Sequence, residues 1–369
     1  MSPSRRKVVG VVAPVAAVAL YKGRKDASSG DEAMEKNAKE HGERHDQDRS
    51  KVPLDSGMVR IADYDPIFGL DFVYAMYKGL KSHTELERMQ ARFDSSGANT
   101  SEIVFSLGGT LFATIEPEKL KSILSLRFKD RGLGNERKQV MIPFLGEGIL
   151  ETDGGQSDDW SFLALFITNP RLKKQYKIVH DFVDTLIEKA MANRERYEKE
   201  KEHSNRRIFI YELFNQTTNA AKIRAESLNI LLVGRDTTAS LLSNVWFELS
   251  RSPAVYARLR AGIDTLNNEI PTFEQIKSMK YLRALLNESL RLYPVVPENA
   301  RLAVCDTVLP VGGGPDGEST VFVAKGQLAY WSKWTMHRRK DLYGEDAEEF
   351  RPERWLDGEV SGEKGLRVG

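Results

Sequence analysis

One stretch constrains the fold more than any other. From about Asn219 to Arg251 the sequence reads as a single long helix, and from Leu228 to Val233 it is apolar on almost every side. A helix with no polar face predicts burial inside a larger helical protein. Yet the next residues, Val233-Gly234-Arg235-Asp236-Thr237-Thr238, are poor ones for a buried helix centre. Gly costs about 1 kcal/mol against Ala, and threonines lose rotamer freedom. A buried aspartate needs a partner or a purpose. Thr237 can donate to the Val233 carbonyl four residues back, which bends a helix, and Gly234 removes a side chain where the bend opens. The expected product is a notch flanked by a carboxylate and a hydroxyl, able to relay protons to something bound there. A polar network that merely fixes packing would use the same residues.

The surrounding pattern is mainly helical with a small β part. Helices are predicted over Ile61 to Arg92 and from Lys174 onward, where Tyr176, Val179, Val183, Leu186, Ile187 and Met191 form one apolar stripe. Between these, two apolar runs flank Gly108-Gly109 as a hairpin, and Pro117 opens a helix at its first position. Thr272 to Gln275 is a capping box, and the helix beyond it stops before Pro294. Short strands are predicted over Ala303 to Leu309, Val321 to Ala324 and Leu328 to Trp331. An apolar share of 41% in 369 residues is enough for a sizeable core. A formal charge of +1 argues against a nucleic-acid partner. One cysteine excludes an intrachain disulfide framework or a multi-cysteine metal site, and no metal ligand is assigned.

The apolar run Val8 to Tyr21 is about 14 residues long, short of the roughly 20 that span a bilayer, with basic residues on both sides. Three readings compete: a short membrane anchor, a signal-peptide core and the remnant of a longer anchor. The basic residues after the run and the lack of a small-x-small site disfavour a cleavable signal, and an anchor is expected. Residues 1–52 are therefore this segment plus a polar linker. Within the linker, His41 and His45 read as two exposed histidines rather than a metal site.

Two further motifs carry chemistry. Glu288 and Arg291 stand at i,i+3 among Leu285, Leu286, Leu290 and Leu292, a spacing at which the two side chains can pair. Phe350-Arg-Pro-Glu-Arg-Trp355 is a proline-containing turn that offers the Arg354 guanidinium to a carboxylate such as Glu288.

In this order and spacing the three motifs resemble the cytochrome P450 family of haem-thiolate monooxygenases. LGEGILETDG (Leu145 to Gly154), LLVGRDTTA (Leu231 to Ala239) and YGEDAEEFRPERW (Tyr343 to Trp355) look closest to its fungal alkane and fatty-acid hydroxylase branch. The resemblance implies a P450-type fold over residues 53–369 and hydroxylation of a long aliphatic substrate by dioxygen. It implies electrons from an NADPH-dependent reductase and a site on the cytoplasmic face of the endoplasmic reticulum membrane. By the same resemblance Asp236 and Thr237 are the catalytic acid–alcohol pair. Gly234 and Arg301 are haem-contacting residues, Arg301 toward a propionate, and Glu288, Arg291 and Arg354 are a structural ion triad.

Two departures qualify it. The family's Phe-Gly-rich loop with the axial cysteine should follow Trp355, and the sequence reaches Gly369 without it. Cys305, followed by Asp306 and lacking a glycine loop, reads as a small structural residue rather than an iron ligand. Near residues 156–160 the family continues with a helix bearing Trp-x-x-x-Arg, but Trp160 is followed by Ala164, so helices are expected to be missing there and the domain to be incomplete. The expectation is a monooxygenase by descent that folds poorly or binds haem weakly and is inactive as this chain. The alternative is a non-catalytic, membrane-tethered helical scaffold that binds a partner.

Overall fold

The structure, a computed structural model, describes residues 59–62, 74–75, 78–79, 81–104, 110–134, 141–146, 170–201, 208–313 and 319–356. The run Val8 to Tyr21, the linker histidines, the Gly108-Gly109 turn, Trp160 and the tail beyond residue 356 lie outside them. The described chain divides into two compact units. One holds residues up to Gly132 and from Thr238 onward, and the other holds Leu133–Thr237.

The first unit is built on a six-stranded mixed sheet. Its strands are β1 (Val59–Ala62), β2 (Thr100–Val104), β3 (Thr110–Thr114), β4 (Arg131–Gly132), β5 (Glu298–Ala303) and β8 (Leu328–Ser332), in the order β1-β2-β3-β8-β5-β4. β6 (Thr307–Gly313) and β7 (Ser319–Val323) form a separate antiparallel ribbon. The β2–β3 pair is the predicted hairpin, with Val104 opposite Thr110. β3 then runs parallel to β8, Leu111 opposite Leu328, so the two ends of the described chain meet in the middle of the sheet.

Two strand and helix expectations need correction. Ile61 belongs to β1, but residues 74–75, 78–79 and 81–82 of the predicted stretch are helical, and α1 spans Glu85–Ser96. The run Ala303 to Leu309 is not one strand. β5 ends at Ala303 and β6 starts at Thr307, because the Val304 N–H turns aside to donate to the Asp130 carbonyl at 3.0 Å.

The sheet's core gathers Phe112, Ile103, Ile123, Leu309, Trp331 and Met336, with Met89 and Phe93 supplied by α1. The helix α2 (Pro117–Lys121) starts at Pro117 as expected and buries Lys119 completely. Lys119 Nζ donates to Thr100 Oγ1 and lies 5.0 Å over the Phe112 ring, and burial pulls its amine down to about 7.

In the second unit, α3 (Pro170–Ala192), α4 (Arg194–Lys201) and α5 (Phe209–Gln216) lead to the first part of α6 (Ala220–Arg251). Val183, Ile187, Leu213, Phe214, Ile223, Leu228 and Leu145 form its core. The expected α3 stripe is only half realised, since Leu186 and Met191 are exposed. A helical turn over 141–145 ends at Gly146, whose φ is +71° and where a Cβ would stand 2.7 Å from Ala225 Cβ. Only glycine suits that backbone and that approach.

Back in the first unit, the later half of α6 packs with α7 (Pro253–Asp264) and α9 (Lys280–Leu292) through Val245, Leu249, Leu259 and Leu285. Between them α8 (Phe273–Ser278) starts with the predicted capping box, both reciprocal bonds present. Two short helices, α10 (Lys333–Met336) and α11 (Lys340–Tyr343), and a 3-10 turn (Pro352–Trp355) complete the unit. The observed architecture is mainly helical with a smaller sheet part, as expected. Among the described residues no helix is long and apolar enough to cross a membrane.

Candidate functional site

The best-built polar site centres on Glu288. α9 has a strong apolar stripe, and Glu288 and Arg291 lie within its buried face, each fully excluded from solvent. The i,i+3 spacing lets the guanidinium grip the carboxylate twice, Nε to Oε2 at 2.9 Å and Nη2 to Oε1 at 2.8 Å. Pro352 opens the 3-10 turn that brings Arg354 to the same carboxylate, Nε to Oε1 at 2.9 Å. The Arg351 N–H and Trp355 Nε1 also donate to Glu288, each at 2.9 Å. The carboxylate is therefore surrounded by donors. Burial alone would raise its pKa, but the Arg291 bonds and charge, the Arg351 N–H and the Arg354 charge outweigh it and hold the carboxyl below its usual value.

The remaining guanidinium protons reach backbone carbonyls. Arg291 Nη1 donates to His337 at 2.7 Å and Ala347 at 2.6 Å, and Arg354 Nη1 donates to Tyr343 at 2.7 Å. Asp346 joins from the same loop, accepting from Arg351 Nε at 2.5 Å and Arg354 Nη1 at 3.3 Å. The network ties α9 to every segment between His337 and Trp355. Bidentate, charge-assisted pairs of this kind fix geometry as well as energy. The three expected triad residues are thus brought into one buried cluster. His337, Asp346 and the Trp355 indole, which complete it, were not singled out from the sequence. His337 contributes through its backbone carbonyl, which leaves no mark in a sequence, whereas Asp346 and Trp355 contribute side chains from distant positions, and the dense run HRRKDLYGEDAEEF hints at a polar knot.

The notch on α6 is laid out differently. Thr237 Oγ1 donates to the Val233 carbonyl, the expected back-bond. Gly234 faces open space, with no atom within 4 Å of where a Cβ would be. Asp236 is exposed rather than buried, with the Arg235 guanidinium 3.8 Å away. The expected burial of Leu228 to Val233 also fails: Leu228 and Asn229 are buried, but Ile230, Leu231 and Val233 are exposed by 46%, 49% and 43%. Farther along, Leu242, Trp246 and Phe247 are exposed too. α6 buries one side of its first half, where Asn229 Nδ2 donates to the carbonyls of Ala225 and Leu145 at 2.7 and 3.3 Å. The apolar residues on its other side are exposed. Asp236 and Thr237 make these contacts within α6 itself.

Arg301 stands on β5, half-buried, its guanidinium 5.8 Å over the Trp331 ring and donating to the Ala300 carbonyl at 3.0 Å. Such a planar, aromatic-backed cation suits a carboxylate ligand. Cys305 lies in the turn after β5, half-buried. Among the described residues no group of three or more His, Cys, Asp or Glu side chains could hold a metal ion.

Comparison with known proteins gives a consistent picture. Residues 119–366 match the family model Cytochrome P450. Cytochrome P450 monooxygenase himC from Aspergillus japonicus is 34% identical over 415 residues, covering 85% of this chain and 73% of that protein. Cytochrome P450 52A10 from Candida maltosa is 48% identical over 206 residues, 54% of this chain and 39% of that protein. Cytochrome P450 52E1 from Candida apicola is 46% identical over 193 residues, 51% of this chain and 37% of that protein.

Proposed function

This chain belongs to the cytochrome P450 family of haem-dependent monooxygenases, and from that premise we propose that it descends from a hydroxylase of long-chain alkanes or fatty acids but does not turn over as the 369-residue chain. The aliphatic substrate class is supported by the three long motif stretches and by the high local identity to 52A and 52E members. In such an enzyme bound haem activates dioxygen for insertion into a C–H bond. The residues here fit that cofactor only in part. Arg301 offers a cation for a propionate, Gly234 offers open space beside the helix, and Thr237 and Asp236 supply a hydroxyl and a carboxylate for holding and passing a proton. Among the described residues, however, the one thiol is Cys305, in a strand-to-strand turn without the glycine loop and helix N-terminus that stabilise a thiolate ligand. No step is therefore assigned through iron. The Glu288, Arg291 and Arg354 cluster holds the loop up to Trp355 in place.

The observation that carries the inactive reading is the bare apolar side of α6. The alignments support it. The match to the A. japonicus relative runs over 415 positions yet uses 85% of 369 residues, about 314, so about 100 positions of the relative face no residue of this chain. The match to the 52A10 protein, 206 positions against 54% of the chain or about 199 residues, has almost no such excess. We place this difference in one internal gap near residues 156–160. The reductase partner and a membrane location at the endoplasmic reticulum, with Val8 to Tyr21 as anchor, belong to the same proposal.

The test is an absorbance spectrum of the purified chain with added haem, reduced under carbon monoxide. The expected result is no thiolate-type Soret band. A sharp one would overturn the inactive reading. Inserting the relative's missing segment should cover α6 and raise haem retention. If the 369-residue chain is instead abundant, stable and haem-free, the bare faces of α3 and α6 favour the second reading, a scaffold that binds a partner.

A further inference from the structure

β4 is two residues long, yet it buries a charge. Arg131 pairs with Ala303 of β5 and is 5% exposed. None of its three guanidinium nitrogens has a hydrogen-bond partner. A cation in that position is costly unless a negative group stands beside it. Burial pulls the guanidinium down to about 10, and two negative groups act against that, first Asp130 and then Cys305, while Arg127 adds to the lowering. Asp130 is already engaged, accepting from Thr307 Oγ1 at 2.9 Å and lying 3.8 Å from Arg127 Nη1.

The backbone explains why the thiol is there. Arg131 is in register with Ala303, the Val304 N–H donates to the Asp130 carbonyl, and Thr307 bonds the Asp130 carboxylate. Cys305 lies on the short turn pinned at both ends to Asp130, directly beside β4. Its other charged neighbour, Asp306, accepts the Lys325 N–H at 2.8 Å. Both nearby carboxylates are thus spoken for by donors, and Arg131 is the charge with no bond of its own. Cys305 is half-buried and outside any disulfide, so a small reagent can reach it.

We propose that Cys305 is a thiol-modification site, its thiolate held beside the buried Arg131 guanidinium and open to exchange with small disulfides such as oxidised glutathione. In the exchange Cys305 Sγ, as thiolate, attacks one sulfur of the small disulfide. That S–S bond breaks, a mixed disulfide forms on Cys305, and one small thiolate leaves, so no further oxidant is consumed. The role is independent of haem ligation and of the activity proposed above.

The sequence has one cysteine, so labelling of the full chain reports this thiol alone. The rate of reaction with dipyridyl disulfide is followed against pH, in buffer and in urea. In urea the midpoint should lie at about 8.5, the value of an ordinary thiol. In the folded chain it should lie at least about one pH unit lower, because a neighbouring cation favours the thiolate. Arg131→Lys should keep the low midpoint and Arg131→Gln should return it toward the urea value. A folded midpoint equal to or above that in urea overturns the proposal, and this comparison decides even if Arg131→Gln fails to fold. Incubation with oxidised glutathione should give a Cys305 adduct by mass spectrometry; an unmodified chain after labelling-competent incubation would also overturn it.

Discussion

Arg291 and His337 hold each other by their backbones. Arg291 Nη1 donates to the His337 carbonyl at 2.7 Å, and His337 Nδ1 donates to the Arg291 carbonyl at 3.1 Å. A carbonyl only accepts, so Nδ1 is the nitrogen that carries a proton here. Burial, with Lys333, Arg291 and Arg338 nearby, lowers the imidazole to about 4, the hydrogen bond to the Arg291 carbonyl opposing only in part.

That value sets a pH dependence. The unfolded chain takes up the histidine proton below about 6.5 and the folded chain only near 4, so the unfolded state binds more protons between them. The contribution of His337 to stability should fall as pH drops from about 6.5 to about 4 and be flat above. Urea midpoints of the wild type and His337→Asn across this window check it, and the variant should lose that part of the slope.

Glu298 should act in the opposite direction. Burial raises its carboxyl to about 7, with Glu85 adding to the effect and Tyr330 and Arg88 opposing it. The folded chain then keeps a proton that the unfolded chain loses near 4.5, so the contribution of Glu298 to stability falls as pH rises from about 4.5 to about 7. Glu298→Gln should be more stable than wild type at pH 8, with the difference closing below pH 4.5. Equal pH profiles for the two proteins would contradict the assignment.

The Glu288 cluster should be far more sensitive than a surface pair. Glu288→Gln leaves Arg291 and Arg354 buried without their shared counter-charge, a change expected to cost about 3–5 kcal/mol. Asp264→Asn breaks the exposed pair with Arg260, 2.9 Å apart, and should cost about 1 kcal/mol or less. Denaturant melts at pH 7 compare them, and similar losses would mean that the cluster is not the tie described.

On α6, position should decide cost rather than hydrophobicity. Leu249→Ala removes a buried contact and should cost about 2–5 kcal/mol. Trp246→Ser and Leu242→Ser, on the exposed side, should each stay within about 0.5 kcal/mol and improve solubility. A loss of several kcal/mol at Trp246 would show that this side is covered.

The legible parts of the molecule are those with local rules. The spacing of Glu288 and Arg291, the proline turn before Arg354, the Thr272 capping box and the Thr237 back-bond all follow from neighbours within a few residues, and all appear in the structure. Burial of α6 was not legible, because an apolar helix is buried only if something lies against it, and its own composition cannot say what does. The break between β5 and β6 was hidden inside an apolar run, since the turn is made by a bond from Val304 to distant Asp130. For the same reason Arg131 and Cys305 meet only through strand pairing and share no motif.

The parallel pairing of β3 with β8 has a consequence for biosynthesis. Leu111 leaves the ribosome roughly 200 residues before its partner Leu328. At about 5–20 residues per second the hairpin waits on the order of ten to forty seconds with one edge unmet. During that interval Phe112 and its neighbours are exposed to solvent, so a nascent chain of this protein should depend on chaperones that shield strand edges until translation is nearly finished.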